Sequence, residues 1–97
     1  MTLNELLAFK GTPADLEQFK KLLEKRDRLI KALRKLSVDI EFEDDAIQVL
    51  TDFGTTKKDI ETRRQHENKR AALSVKQDKK IKEYNQTIDA INQFTTR

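Results

Sequence analysis

The chain of 97 residues and 11.4 kDa has the size of one domain, read here as a single helical domain over residues 1–97, and that size excludes a multi-domain enzyme. Charged residues (38%) outnumber hydrophobic ones (36%), so the core is thin, and the absence of Cys excludes a disulfide framework, a thiolate metal site and a cysteine nucleophile. The net charge of +3 is too mild to specify a nucleic-acid partner by itself.

The order of the charges says more than their balance. Lys20 to Lys35 carries +6, Val38 to Phe53 carries −6 from Asp39, Glu41, Glu43, Asp44, Asp45 and Asp52, and Lys57 to Lys82 carries +6 again. Such blocks meet within a fold or across an interface. The amino-terminal stretch MTLNELLAFKG has no basic region followed by a long apolar run, and no apolar stretch approaches the ~18 residues of a membrane span. The chain is therefore expected to be cytoplasmic, with no membrane partner.

In chain order, the first predicted helix covers residues 2–10, opened by a Thr2-x-x-Glu5 capping box and carrying Leu3, Leu6 and Leu7 on one face. Gly11 supplies a left-handed stop, and Thr12-Pro13 restarts a helix because Pro at the first helical position loses no needed hydrogen bond. The second helix is expected over 13–37, where Leu16, Phe19, Leu22, Leu23, Leu29, Ile30, Leu33 and Leu36 recur at spacings of three and four.

Val38, Ile40 and Phe42 alternate with Asp39 and Glu41, so residues 38–42 read as an extended linker or a helical continuation. A third helix is expected over 43–53, with Glu43, Asp44 and Asp45 at the positive end of its dipole and a stop at Gly54. The fourth, over 56–94, starts at Thr56 with Asp59 three residues on and meets no breaker afterwards. Ile81, Tyr84, Ile88, Ile91 and Phe94 form a sharp stripe at its end, whereas Glu61 to Arg70 contains no apolar residue. The expected fold is all-α: a helical hairpin or small antiparallel bundle of three to four helices, coiled-coil-like, with one long C-terminal helix.

Catalytic chemistry has little to stand on. His66, the single histidine, lies in a wholly polar stretch and reads as a solvated helix residue, and no Cys or second His accompanies it. The two glycines stand apart at Gly11 and Gly54, so there is no phosphate loop. The acids from Asp39 onward fail as a calcium loop, with Asp44 where Gly is needed and Leu50 where the bidentate Glu is needed. The expectation is a non-enzymatic protein with no metal, no cofactor and no catalytic residue.

The function expected is that of a small protein–protein interaction module, an adaptor, inhibitor, chaperone or assembly factor, self-associating or binding another protein. Ile81, Tyr84, Ile88, Ile91 and Phe94 are the candidate partner-binding anchors, and the same stripe is core if the first and second helices cover it. Glu43, Asp44 and Asp45 form a candidate acidic docking patch. The alternative is a nucleic-acid-binding accessory protein with Lys57, Lys58, Arg63, Arg64, Lys69 and Arg70 on phosphates, although no aromatic residue accompanies them for base stacking.

Overall fold

The computed structural model describes residues 1–96. It bears out the all-α class: three helices, α1 (Leu3–Leu7), α2 (Pro13–Phe53) and α3 (Lys57–Thr95), with no strand among the described residues. All three starts are set locally. Thr2 Oγ1 accepts from the Glu5 N–H at 3.2 Å. Thr12 Oγ1 accepts from the Asp15 N–H at 3.3 Å, with Pro13 as the first helical residue. Thr56 and Asp59 exchange the same bonds reciprocally, the Asp59 N–H donating to Thr56 Oγ1 and the Thr56 N–H to Asp59 Oδ2.

Two expected boundaries are corrected. The helices expected over 13–37 and 43–53 are one 41-residue helix, and residues 38–42 are its middle. The period-two alternation there has a helical cause: Ile40 is buried, while Val38 and Phe42 are each 64% exposed. At about 100° per residue, Ile40 lies on the opposite side of the helix from both. The first helix ends at Leu7 and not at residue 10, because the backbone turns away to put Phe9 into the core and to let the Lys10 N–H donate to the Phe94 carbonyl at 2.7 Å.

Neither glycine is left-handed, so Gly11 does not act as the expected stop. Its lack of a side chain serves a close approach instead. A Cβ there would lie 2.7 Å from the Phe9 ring, and one at Gly54 would lie 2.4 Å from the Leu50 carbonyl oxygen that the Gly54 N–H bonds.

The chain divides into two compact units, Met1–Ala32 with Lys80–Arg97, and Leu33–Lys79. In the first, the start of α2 and the end of α3 run antiparallel and α1 covers them. Phe19, Leu23, Ile91 and Phe94 form its buried cluster, ringed by Leu6, Phe9, Leu16, Leu22 and Ile88. The Phe9, Phe19 and Phe94 rings lie 5.0 to 6.1 Å apart, in the range where tilted aromatic pairs attract. Arg26 ties α1 to α2, its guanidinium 2.7 Å from Glu5 and 2.8 Å from Asp27. Glu5 thus turns to Arg26 and does not complete the capping box with Thr2.

The second unit pairs the C-terminal half of α2 with the N-terminal half of α3 and is built differently. Ile40 is its one buried apolar residue among the described residues. The face that α3 turns inward is polar, with Arg63, His66, Arg70, Ser74 and Gln77 all half-buried. That accords with the apolar gap read from Glu61 to Arg70.

Candidate functional site

The stripe expected to bind a partner is largely taken up by the chain itself. Ile91 and Phe94 are each 8% exposed, Ile88 packs against them and Tyr84 is half-buried. Ile81 alone is exposed. The cover comes from Leu6, Phe9, Phe19 and Leu23 on α1, the following turn and α2. These are the neighbours that the core reading of the stripe requires.

The acidic patch of Glu43, Asp44 and Asp45 comes apart, because successive residues of a helix point in different directions. Glu43 is buried and its Oε2 accepts from His66 Nδ1 at 2.5 Å. Asp44 accepts from Arg70 Nε at 2.7 Å, and Arg70 also donates to Ser74 Oγ at 3.1 Å. Asp45 is exposed and, among the described residues, makes no ion pair. His66, expected in solvent, is therefore a half-buried partner of a buried carboxylate.

The six basic candidates on α3 likewise do not share a face. At about 100° per residue, Lys57 and Arg64 fall on one arc, Lys58 and Lys69 on a second, and Arg63 and Arg70 on a third. On the third arc Arg70 reaches Asp44 of α2, and Arg63 lies 3.5 Å from Glu67 one turn further along α3 itself. The other four residues are exposed.

The surface that sequence reasoning missed lies on α2 in the second unit. Val38, Phe42, Val49 and Phe53 are 64%, 64%, 57% and 78% exposed. At spacings of four, seven and four they fall within about 60° of one another around the helix. Leu33, Leu36, Ile40, Ile47 and Leu50 make the inward face on the opposite side. Here α2 has two apolar faces, one of them uncovered. The signal was in the sequence, as the alternation of Val38, Ile40 and Phe42.

The outer face has a defined border. Glu41, Asp45 and Asp52 flank it on one side, all exposed, with Asp52 accepting from the Gln48 amide at 3.0 Å. On the other side Phe42 opens into a cleft of about 370 Å³, walled by Asp39, Glu43, Lys69, Ala72, Leu73 and Lys76. Among the described residues, no three His, Asp or Glu side chains gather where they could hold a metal ion, and no helix is long and apolar enough to cross a membrane. No protein-family model matches the chain, and neither does any curated protein or solved structure with which it was compared.

Proposed function

We propose that the chain is a non-enzymatic helical protein–protein interaction module of the adaptor, inhibitor, chaperone or assembly-factor kind, recognising its partner through an amphipathic helix face. The observation that carries this reading is the uncovered row of Val38, Phe42, Val49 and Phe53 on α2. Large apolar side chains scattered singly on a surface are ordinary, but four aligned on one helix face form the kind of stripe that marks a docking surface. The anchors are thus moved from the Ile81 to Phe94 stripe, most of which is core, to the middle of the chain. Acidic residues along the border set partner choice by charge.

The double variant Phe42→Ser/Val49→Ser tests the reading. Both positions are exposed, so circular dichroism and thermal unfolding are expected to match the parent. Association, measured by sedimentation with the chain itself or with any protein that co-purifies, is expected to be lost. Unaltered association of the folded double variant overturns the proposal.

The second reading, phosphate binding by α3, rests on the four exposed bases Lys57, Lys58, Arg64 and Lys69. It ranks lower because they divide between two arcs and Arg63 and Arg70 are already engaged with carboxylates.

A further inference from the structure

We infer that the occupant of the outer face of α2 is a second copy of the chain, laid antiparallel, with Val38 opposite the second copy's Val49 and Lys35 opposite its Asp52. This rests on the reading that this face is the interaction surface. It goes further by naming the partner and the register.

Along the outer face the residues at heptad positions are Lys35, Phe42 and Val49 in one row and Val38, Asp45 and Asp52 in the other. All six are exposed, and among the described residues Lys35, Asp45 and Asp52 make no ion pair. Read from N to C, the order is Lys35, Val38, Phe42, Asp45, Val49 and Asp52, so the base lies at the N-terminal end of the face and both acids lie in its C-terminal half.

A face graded in this way complements itself only when reversed. A parallel pair sets Lys35 on Lys35, Asp45 on Asp45 and Asp52 on Asp52, stacking like charges along the whole seam. An antiparallel pair sets basic ends on acidic ends. Two antiparallel registers deserve comparison. One that matches Phe42 with Val49 and Val38 with Phe53 aligns more apolar surface, but it brings Asp45 next to the second copy's Asp45 across the two-fold axis. Asp39 then meets Asp52, and Lys35 finds no acid. A shift of four residues matches Val38 with Val49 and brings Lys35, with Arg34 beside it, onto Asp52 at both ends of the seam. Phe42 then lies beside Asp45 and Phe53 opposite Arg34, so the mismatches that this register leaves are at the two Phe rings.

Charge-swapped chains test both partner and register. At exposed positions the swaps leave the fold intact, which circular dichroism checks. Lys35→Asp alone and Asp52→Lys alone each create two like-charge contacts across the axis, and each is expected to weaken self-association about tenfold or more by sedimentation equilibrium. Mixed together, the two variants regain both opposite-charge contacts and are expected to associate with each other as tightly as the parent with itself, read by energy transfer between labelled chains. A mixture that associates no better than either variant alone overturns the register. A parent chain that stays monomeric to about 1 mM overturns the second copy as occupant. The parent reading then stands or falls separately, on whether Phe42→Ser/Val49→Ser abolishes binding to a different protein. If the chain self-associates and that double variant does so equally well, the face itself is wrong and both readings fail together.

Discussion

At the scale of single residues, the second unit is held by polar contacts that have no sequence signature beyond a change of composition. Glu43 is 7% exposed, and a carboxylate that deeply placed needs a partner to offset its lost hydration. His66 supplies it at 2.5 Å from 23 residues away. Removing one member costs more than removing both. His66→Ala is expected to lower unfolding stability by about 1–3 kcal/mol, since it leaves the carboxylate buried and unpaired. Glu43→Leu/His66→Leu is expected to recover that loss or exceed it, as packed apolar groups replace the pair. Urea midpoints of the two variants check this, and equal losses would show that the pair is not coupled.

Nothing local distinguishes His66 from the other polar residues of ETRRQHENKR, which is why the sequence reads it as solvated. Its burial is conferred by α2, at a distance along the chain that periodicity does not encode. The same holds for Thr87, 2% exposed, whose hydroxyl donates to the Glu83 carbonyl at 2.8 Å. That bond lets a polar side chain sit in the interior of the first unit.

At the scale of elements, three of the four expected helix starts hold, whereas the start expected at Glu43 lies in the interior of α2. The Thr-x-x-Asp pairs at Thr12 and Thr56 act within three residues, so their bonds follow from the sequence alone. Asp59 shows the consequence for pH. The Thr56 backbone N–H foremost, then the Thr56 hydroxyl and the Thr55 N–H, hold its carboxyl below the ordinary aspartate value. A carboxyl lowered in the folded state contributes stability above its unfolded pKa and loses it as pH falls through the lowered value. Asp59→Asn is therefore expected to be less stable than the parent at neutral pH, with the difference vanishing on acidification below the ordinary aspartate range. Thermal unfolding of both chains against pH measures this, and a difference that persists at low pH would place the effect elsewhere.

The interior of α2 was misread because a break was inferred from a pattern with two causes. Alternation of Val38, Ile40 and Phe42 suits an extended segment with one wet side. It equally suits a helix with apolar residues on opposite faces, and here the run of capped, unbroken helix on either side decides for the helix. Neither Gly nor Pro interrupts residues 14–53, and helix propagation costs little once nucleated.

At the scale of the molecule, the two units divide the labour. The first holds the aromatic cluster and the buried leucines, and the second holds Ile40 and the polar pairs Glu43–His66 and Asp44–Arg70. Phe19, 0% exposed, is expected to cost about 3–5 kcal/mol on replacement by Ala. Native-state hydrogen exchange is expected to be slowest around Phe19 to Leu23 and Ile88 to Phe94 and faster from Ile47 to His66, because local opening follows the density of buried apolar contacts. Uniform protection along both long helices would contradict that division. A unit with so thin an interior and four aligned apolar side chains outside gains most from a second surface to pack against, which is the physical basis of the proposed interface.

The sequence by itself determined the helical class, the three capped starts, the end of α2 before Gly54 and the polar gap in α3, because each depends on bonds or periodicities confined to a few neighbouring residues. Only the tertiary structure decided that Ile88, Ile91 and Phe94 are interior, that Glu43 and His66 meet, and that Val38, Phe42, Val49 and Phe53 are left uncovered. An apolar stripe states that it must be covered, but whether distant segments of the same chain do so depends on contacts between residues tens of positions apart, to which local pattern is blind.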